Sequence, residues 1–134
     1  AIATYKSSSL SVKSEQGRLI YNEKKIAYAE YLSAYFDMAE HLADVEVGIV
    51  DIPSQKTVET MHQLIVAHSK ARLFAPPHIQ EAMKATGDTI STALRDKRLP
   101  ASSKDFDTLA DAMQKDLYSF NAEADKKRWF RKKK

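Results

Sequence analysis

Through most of the chain apolar side chains recur every three or four residues, which is the period of an amphipathic helix. Four such stretches stand out. The first runs from about Glu15 to Asp44. Its stripe is Tyr21, Tyr28, Leu32, Tyr35, Ala39 and Leu42, with Tyr31, Met38 and Val45 beside it. Asn22, Glu23, Lys24, Glu30, Asp37 and Glu40 fall between these positions and read as a solvent face.

The period then fails. Val45 to Ile52 carries Val and Ile around Gly48 and ends at Pro53, which suits an extended segment or an irregular loop; a short strand or a last helical turn also fits. A second helix starts after Ser54 as N-cap, with a stripe of Val58, Met61, Ile65 and His68 flanked by Leu64 and Ala71. Pro76 and Pro77 stop it at Ala75, and Pro77 then opens a third helix at a position where its missing N–H costs nothing. The third stripe is Ile79, Met83, Thr86, Ile90 and Ala93 with Leu94, ending before Leu99 and Pro100. Gly87 interrupts it, either as a tolerated defect or, on the reading preferred here, because a neighbouring helix approaches closely. Ser102 followed by Asp105 resembles a capping box for a fourth helix, whose stripe is Phe106, Leu109, Met113, Leu117 and Phe120.

Four apolar stripes on short connections predict an all-α fold, an antiparallel four-helix bundle in up-down-up-down order. The expected organisation is a serine-rich lead-in at residues 1–14, frayed unless a helix begins within it, then a bundle domain at 15–125 and a basic C-terminal tail at 126–134. At 134 residues the chain is long enough for one core without disulfides or metals.

Charge adds what periodicity does not. The net charge is +3, but residues 126–134 read KKRWFRKKK, with seven basic residues and no acidic one. The remaining 125 residues hold 14 basic against 18 acidic side chains, a balance of −4. The body is mildly acidic, and the basicity lies at one end. Lys126, Lys127, Arg128 and Arg131 around Trp129 and Phe130 are candidate surface-contact residues. Cations near an anionic leaflet contribute about 1 kcal/mol each, and Trp favours the interface. The same residues suit nucleic-acid phosphates and bases, but an acidic body ranks that partner below the membrane. A solvated terminus is the reading with no function attached.

Catalytic chemistry is sparse. The absence of cysteine excludes disulfides, thiolate metal sites and a thiol nucleophile. Gly17, Gly48 and Gly87 are isolated, so no local phosphate cradle or dinucleotide fingerprint exists, and there is no Gly-x-Ser-x-Gly elbow. Glu59 and His62 form one Glu-x-x-His pair, where a di-iron bundle needs two. They are the metal candidates, with Asp37 and His41 as additional ligands. His68 on an apolar stripe reads as a hydrogen-bonded core residue. Tyr21, Tyr28, Tyr31 and Tyr35 cluster on one helix and read as core or helix–helix interface, a dimer face if any part stays exposed. No small-molecule substrate is identifiable, no cofactor is expected, and the balance leans away from an enzyme.

Lys25, Tyr28 and Leu32, then Arg72-Leu73-Phe74-Ala75-Pro76-Pro77-His78-Ile79, then Phe106, Leu109, Met113 and Lys115-Asp116-Leu117 carry a resemblance. Across residues 18–118 the chain resembles the helical soluble part of small uncharacterised bacterial proteins with an N-terminal membrane anchor. The resemblance implies no reaction. It implies an anchor upstream of Ala1, consistent with the missing initiator Met. The expected location is cytoplasmic, with attachment at the inner face of a membrane as one form of it. The Trp-Phe basic tail departs from that pattern. The expectation from sequence is therefore a non-enzymatic helical interaction module that docks a protein partner, self-associates or contacts a membrane. The alternatives are a metal-binding bundle using Glu59 and His62, and nucleic-acid contact through the tail.

Overall fold

The computed structural model describes the backbone of residues 2–52, 54–100 and 102–133, and side chains only within 15–120. It contains four helices: α1 (Ile2–Glu46), α2 (Gln55–Phe74), α3 (Pro77–Asp96) and α4 (Lys104–Lys133). No strand occurs among the described residues. The bounds of α1 include the serine-rich lead-in and those of α4 include most of the basic segment; the side chains of both lie outside the described residues, as does Pro53.

The helix ends follow local chemistry. Ser54 caps α2, its hydroxyl oxygen accepting from the Thr57 N–H at 3.2 Å. Pro77 takes the first position of α3 behind Pro76. Val45–Ile52 is neither strand nor extended segment. Glu46 closes α1, and the chain turns through Gly48 at φ 82. The Gly48 N–H donates to Val45 O and the Ile49 N–H to Asp44 O, a pair of bonds that satisfies the last carbonyls and needs a left-handed residue at Gly48. Lys97 ends α3 in the same way at φ 55, with Arg98 donating to Ala93 O. The capping box at Ser102 and Asp105 does not form. The Ser102 hydroxyl accepts from the Lys104 N–H, while Asp105 turns to the Thr89 hydroxyl at 2.8 Å, because α4 begins at Lys104, one residue later than that box requires.

The packing contacts are those of a helical bundle. Along α1 and α4 contacts run in opposite numerical order: Tyr35 against Phe106, Tyr28 against Asp116, Tyr21 against Phe120. His41 meets Thr57 and Tyr31 meets His68 between α1 and α2. Tyr31 also reaches Thr86 of α3, and Glu46 accepts the Leu99 N–H beyond the end of that helix. The core gathers Tyr28, Tyr31, Met38, Leu42, Ile79, Met83, Ile90, Leu109 and Met113. Burying a large apolar side chain of this kind contributes about 1.5–3 kcal/mol.

The α3 stripe lies where its period places it, with Ile79, Met83, Thr86, Ile90 and Ala93 all buried. The α2 stripe does not. The buried residues are Thr57, Thr60, Leu64, Ala67 and Ala71, whereas Val58 and Ile65 are 61% and 56% exposed. Apart from Leu64, the buried side chains are small, while Val58, Ile65, Val66 and Leu73 stand exposed. Gly87 is likewise not a close-packing device: a Cβ placed there meets nothing within 4 Å.

Candidate functional site

Polar groups buried between the helices form three small clusters. The first joins α1 to α4. Lys24, assigned by its sequence neighbours to a solvent face, is only 7% exposed. Its ammonium pairs with the Asp116 carboxylate and lies 5.7 Å from the Tyr28 ring centre and 5.3 Å from that of Phe120. The Tyr28 hydroxyl donates to the same Asp116 oxygen at 2.7 Å. Burial raises the Tyr28 hydroxyl far above the usual phenol range, and the bond to Asp116 and its charge push the same way. A phenol held protonated next to a carboxylate is a donor, not a base.

The second cluster joins α1 to α3. The Thr86 hydroxyl donates to Met83 O at 2.8 Å, which leaves its oxygen to accept from Tyr31 at 2.9 Å. Burial raises the Tyr31 pKa, opposed in part by Thr86. Burial also raises Tyr35, with Tyr31 and Asp105 adding to it. Tyr28, Tyr31 and Tyr35 are thus spent inside the chain, and Tyr21 stacks on Phe120 at 5.9 Å. Their rings supply contacts between helices of one molecule, with Tyr21 half-buried and the other three buried.

The third cluster lies where α1 meets the start of α2. His41 is fully buried, its Nε2 is 2.6 Å from the Thr57 hydroxyl, and Thr57 in turn lies 2.9 Å from Ser54. Its Nδ1 finds no partner among the described residues. His41, not His68, is the buried hydrogen-bonded histidine. His68 is half-buried with its ring 5.8 Å from that of Tyr31, and burial, helped by Arg72, lowers its pKa. The signal for His41 was its spacing of three and four from Met38 and Val45, both buried.

The metal candidates do not assemble. His41 is engaged with Thr57, while Glu59 and His62 project from the exposed side of α2. Asp37 and His62 line a shared groove of about 560 Å³ between α1 and α2, but no three His, Asp or Glu side chains gather among the described residues. A larger cleft of about 830 Å³ lies between the end of α1, α3 and the α3–α4 connection, where Glu46, Asp88, Asp96 and Asp105 face Arg98. It is open, its charged residues are mostly acidic, and it contains none of the candidate binding or metal-ligating residues named from sequence. No helix among the described residues is long and apolar enough to cross a membrane. Lys126 to Arg131 lie outside the residues whose side chains are described.

No protein-family model, curated protein or solved structure matches this chain.

What distinguishes the described surface is apolar rather than catalytic. Val58, Ile65, Val66 and Leu73 all stand exposed on α2, with Leu73 83% exposed. Within an apolar interior, three small polar clusters link helix to helix.

Proposed function

We propose that this chain is a non-enzymatic helical interaction module, an up-down-up-down bundle whose basic end contacts an anionic membrane surface. The observation that carries the reading is charge segregation: seven cations with Trp129 and Phe130 in residues 126–134, against a balance of −4 in the rest. An anionic leaflet attracts such a segment at about 1 kcal/mol per cation while repelling an acidic body, so one end is selected for contact. Trp129 and Phe130 add apolar and interfacial affinity. The opposed order of contacts along α1 and α4, and the caps that hold the connections short, support the bundle order. The buried tyrosines support a structural rather than a catalytic use of the polar interior.

The test is co-sedimentation with anionic and neutral vesicles, comparing the full chain with one ended at Asp125. Binding to anionic vesicles that is lost with the last nine residues is expected. Equal sedimentation of both forms, or of neither, contradicts the reading. Abolition of vesicle binding by single-stranded oligonucleotide at a low ratio to the protein would move the partner to nucleic acid.

A further inference from the structure

The outward face of α2 carries four large apolar residues, with His62 and Ser69 between them, and the four have a symmetry of their own. Val58 stands seven residues before Ile65, and Leu73 seven after Val66, so the four are placed evenly about the midpoint between Ile65 and Val66. At about 100° per residue they share one side of the helix, roughly opposite the Thr60, Ala67 and Ala71 face that packs on α1. All four are exposed, from 40% at Val66 to 83% at Leu73. A pattern that reads the same from both ends complements itself when a second helix lies antiparallel across a two-fold axis, the isologous geometry of a symmetric dimer.

We propose that this face docks on the same face of a second copy of this chain. The two-fold axis sets Ile65 beside the other copy's Ile65 and Val66 beside its Val66, and brings Val58 towards Leu73 at each end. The flanking charges agree. Glu59 and Lys70 lie on one flank of the stripe, on opposite sides of its midpoint. The two-fold axis keeps each flank on its own side and reverses the helix, so Glu59 of each copy falls near Lys70 of the other, two attractive pairs per dimer. A parallel pairing, about an axis along the helices, would set this flank against the opposite one and form neither pair. Stable interfaces bury about 800 Å² per partner; one 20-residue helix face offers less, so the dimer forms reversibly with concentration.

The inference deepens the reading as an interaction module by naming a partner. It does not depend on the basic segment, so it stands or falls separately from membrane contact. Sedimentation equilibrium of the full chain over a concentration series tests it, with circular dichroism reporting the fold. The mass is expected to rise towards that of two chains and no further. Ile65→Lys, at an exposed position, is expected to keep the fold and weaken the dimer at least tenfold. Glu59→Lys and Lys70→Glu are each expected to weaken it, and the double variant to restore it. A monomer at every concentration, or a dimer indifferent to Ile65→Lys, overturns the proposal. Failure of the double variant to recover what the single ones lose overturns the antiparallel register.

Discussion

Buried charge sets the most testable single-residue behaviour. Lys24, Asp116 and Tyr28 share one site between α1 and α4, and removing one partner strands another in a poorly solvated place. Asp116→Ala is expected to cost about 3 kcal/mol, because it leaves an ammonium buried among aromatic rings. Replacing the pair together, Lys24→Met with Asp116→Leu, is expected to recover most of that loss. Urea unfolding of the two variants checks both. Protonation follows the same logic. His68 has a lowered pKa when folded, so its contribution is present above the unfolded value of about 6.5 and fades as pH falls through the folded one. Tyr28, Tyr31 and Tyr35 have raised values, so theirs is complete below about pH 10 and fades above it. Urea midpoints measured against pH should form a plateau that falls at both ends, and His68→Phe should reduce the fall between about pH 7 and pH 5. The burial of Lys24 could not be read from its neighbours in sequence, since what pays its desolvation is a carboxylate ninety-two positions away.

At the scale of elements, legibility depended on which force positions a helix. The buried face of α3 followed its period because its large apolar residues and its core-facing residues are the same set. In α2 the two sets differ. Hydropathy favours Val58 and Ile65, but contact with the long α1 favours small side chains, and Thr60, Ala67 and Ala71 let the two axes approach. The same effect hid His41, whose partner Thr57 lies on the small-residue face. This arrangement predicts an inversion of the usual rule of substitution. Ala71→Leu, apolar for apolar, is expected to destabilise by about 1–3 kcal/mol through overpacking. Ile65→Ser, apolar for polar, is expected to change stability by no more than about 0.5 kcal/mol in dilute solution. Urea unfolding of both would locate the α2 interface without further structure; equal costs would return Ile65 to the core. Helix ends were legible where one residue decides them, as at Ser54 and Pro77, and not where loop length decides, as at Ser102.

For the whole molecule, number of helices and fold class were legible because four periods and few punctuating residues leave little else to build. The candidate site was less so. The polar clusters are tertiary: the tyrosine row reads from sequence as core or helix–helix contact, and three of its members are buried, but no local pattern names the partners they take. The segregation of charge is different: it is a property of the sequence that no packing alters. It makes the central claim directly observable, because Trp129 is the only tryptophan and lies within the basic segment. The decisive measurement is its fluorescence during titration with vesicles. A blue shift with anionic vesicles that is absent with neutral ones and lost at high salt is the predicted result. An emission spectrum unmoved by anionic vesicles would contradict membrane contact by this segment.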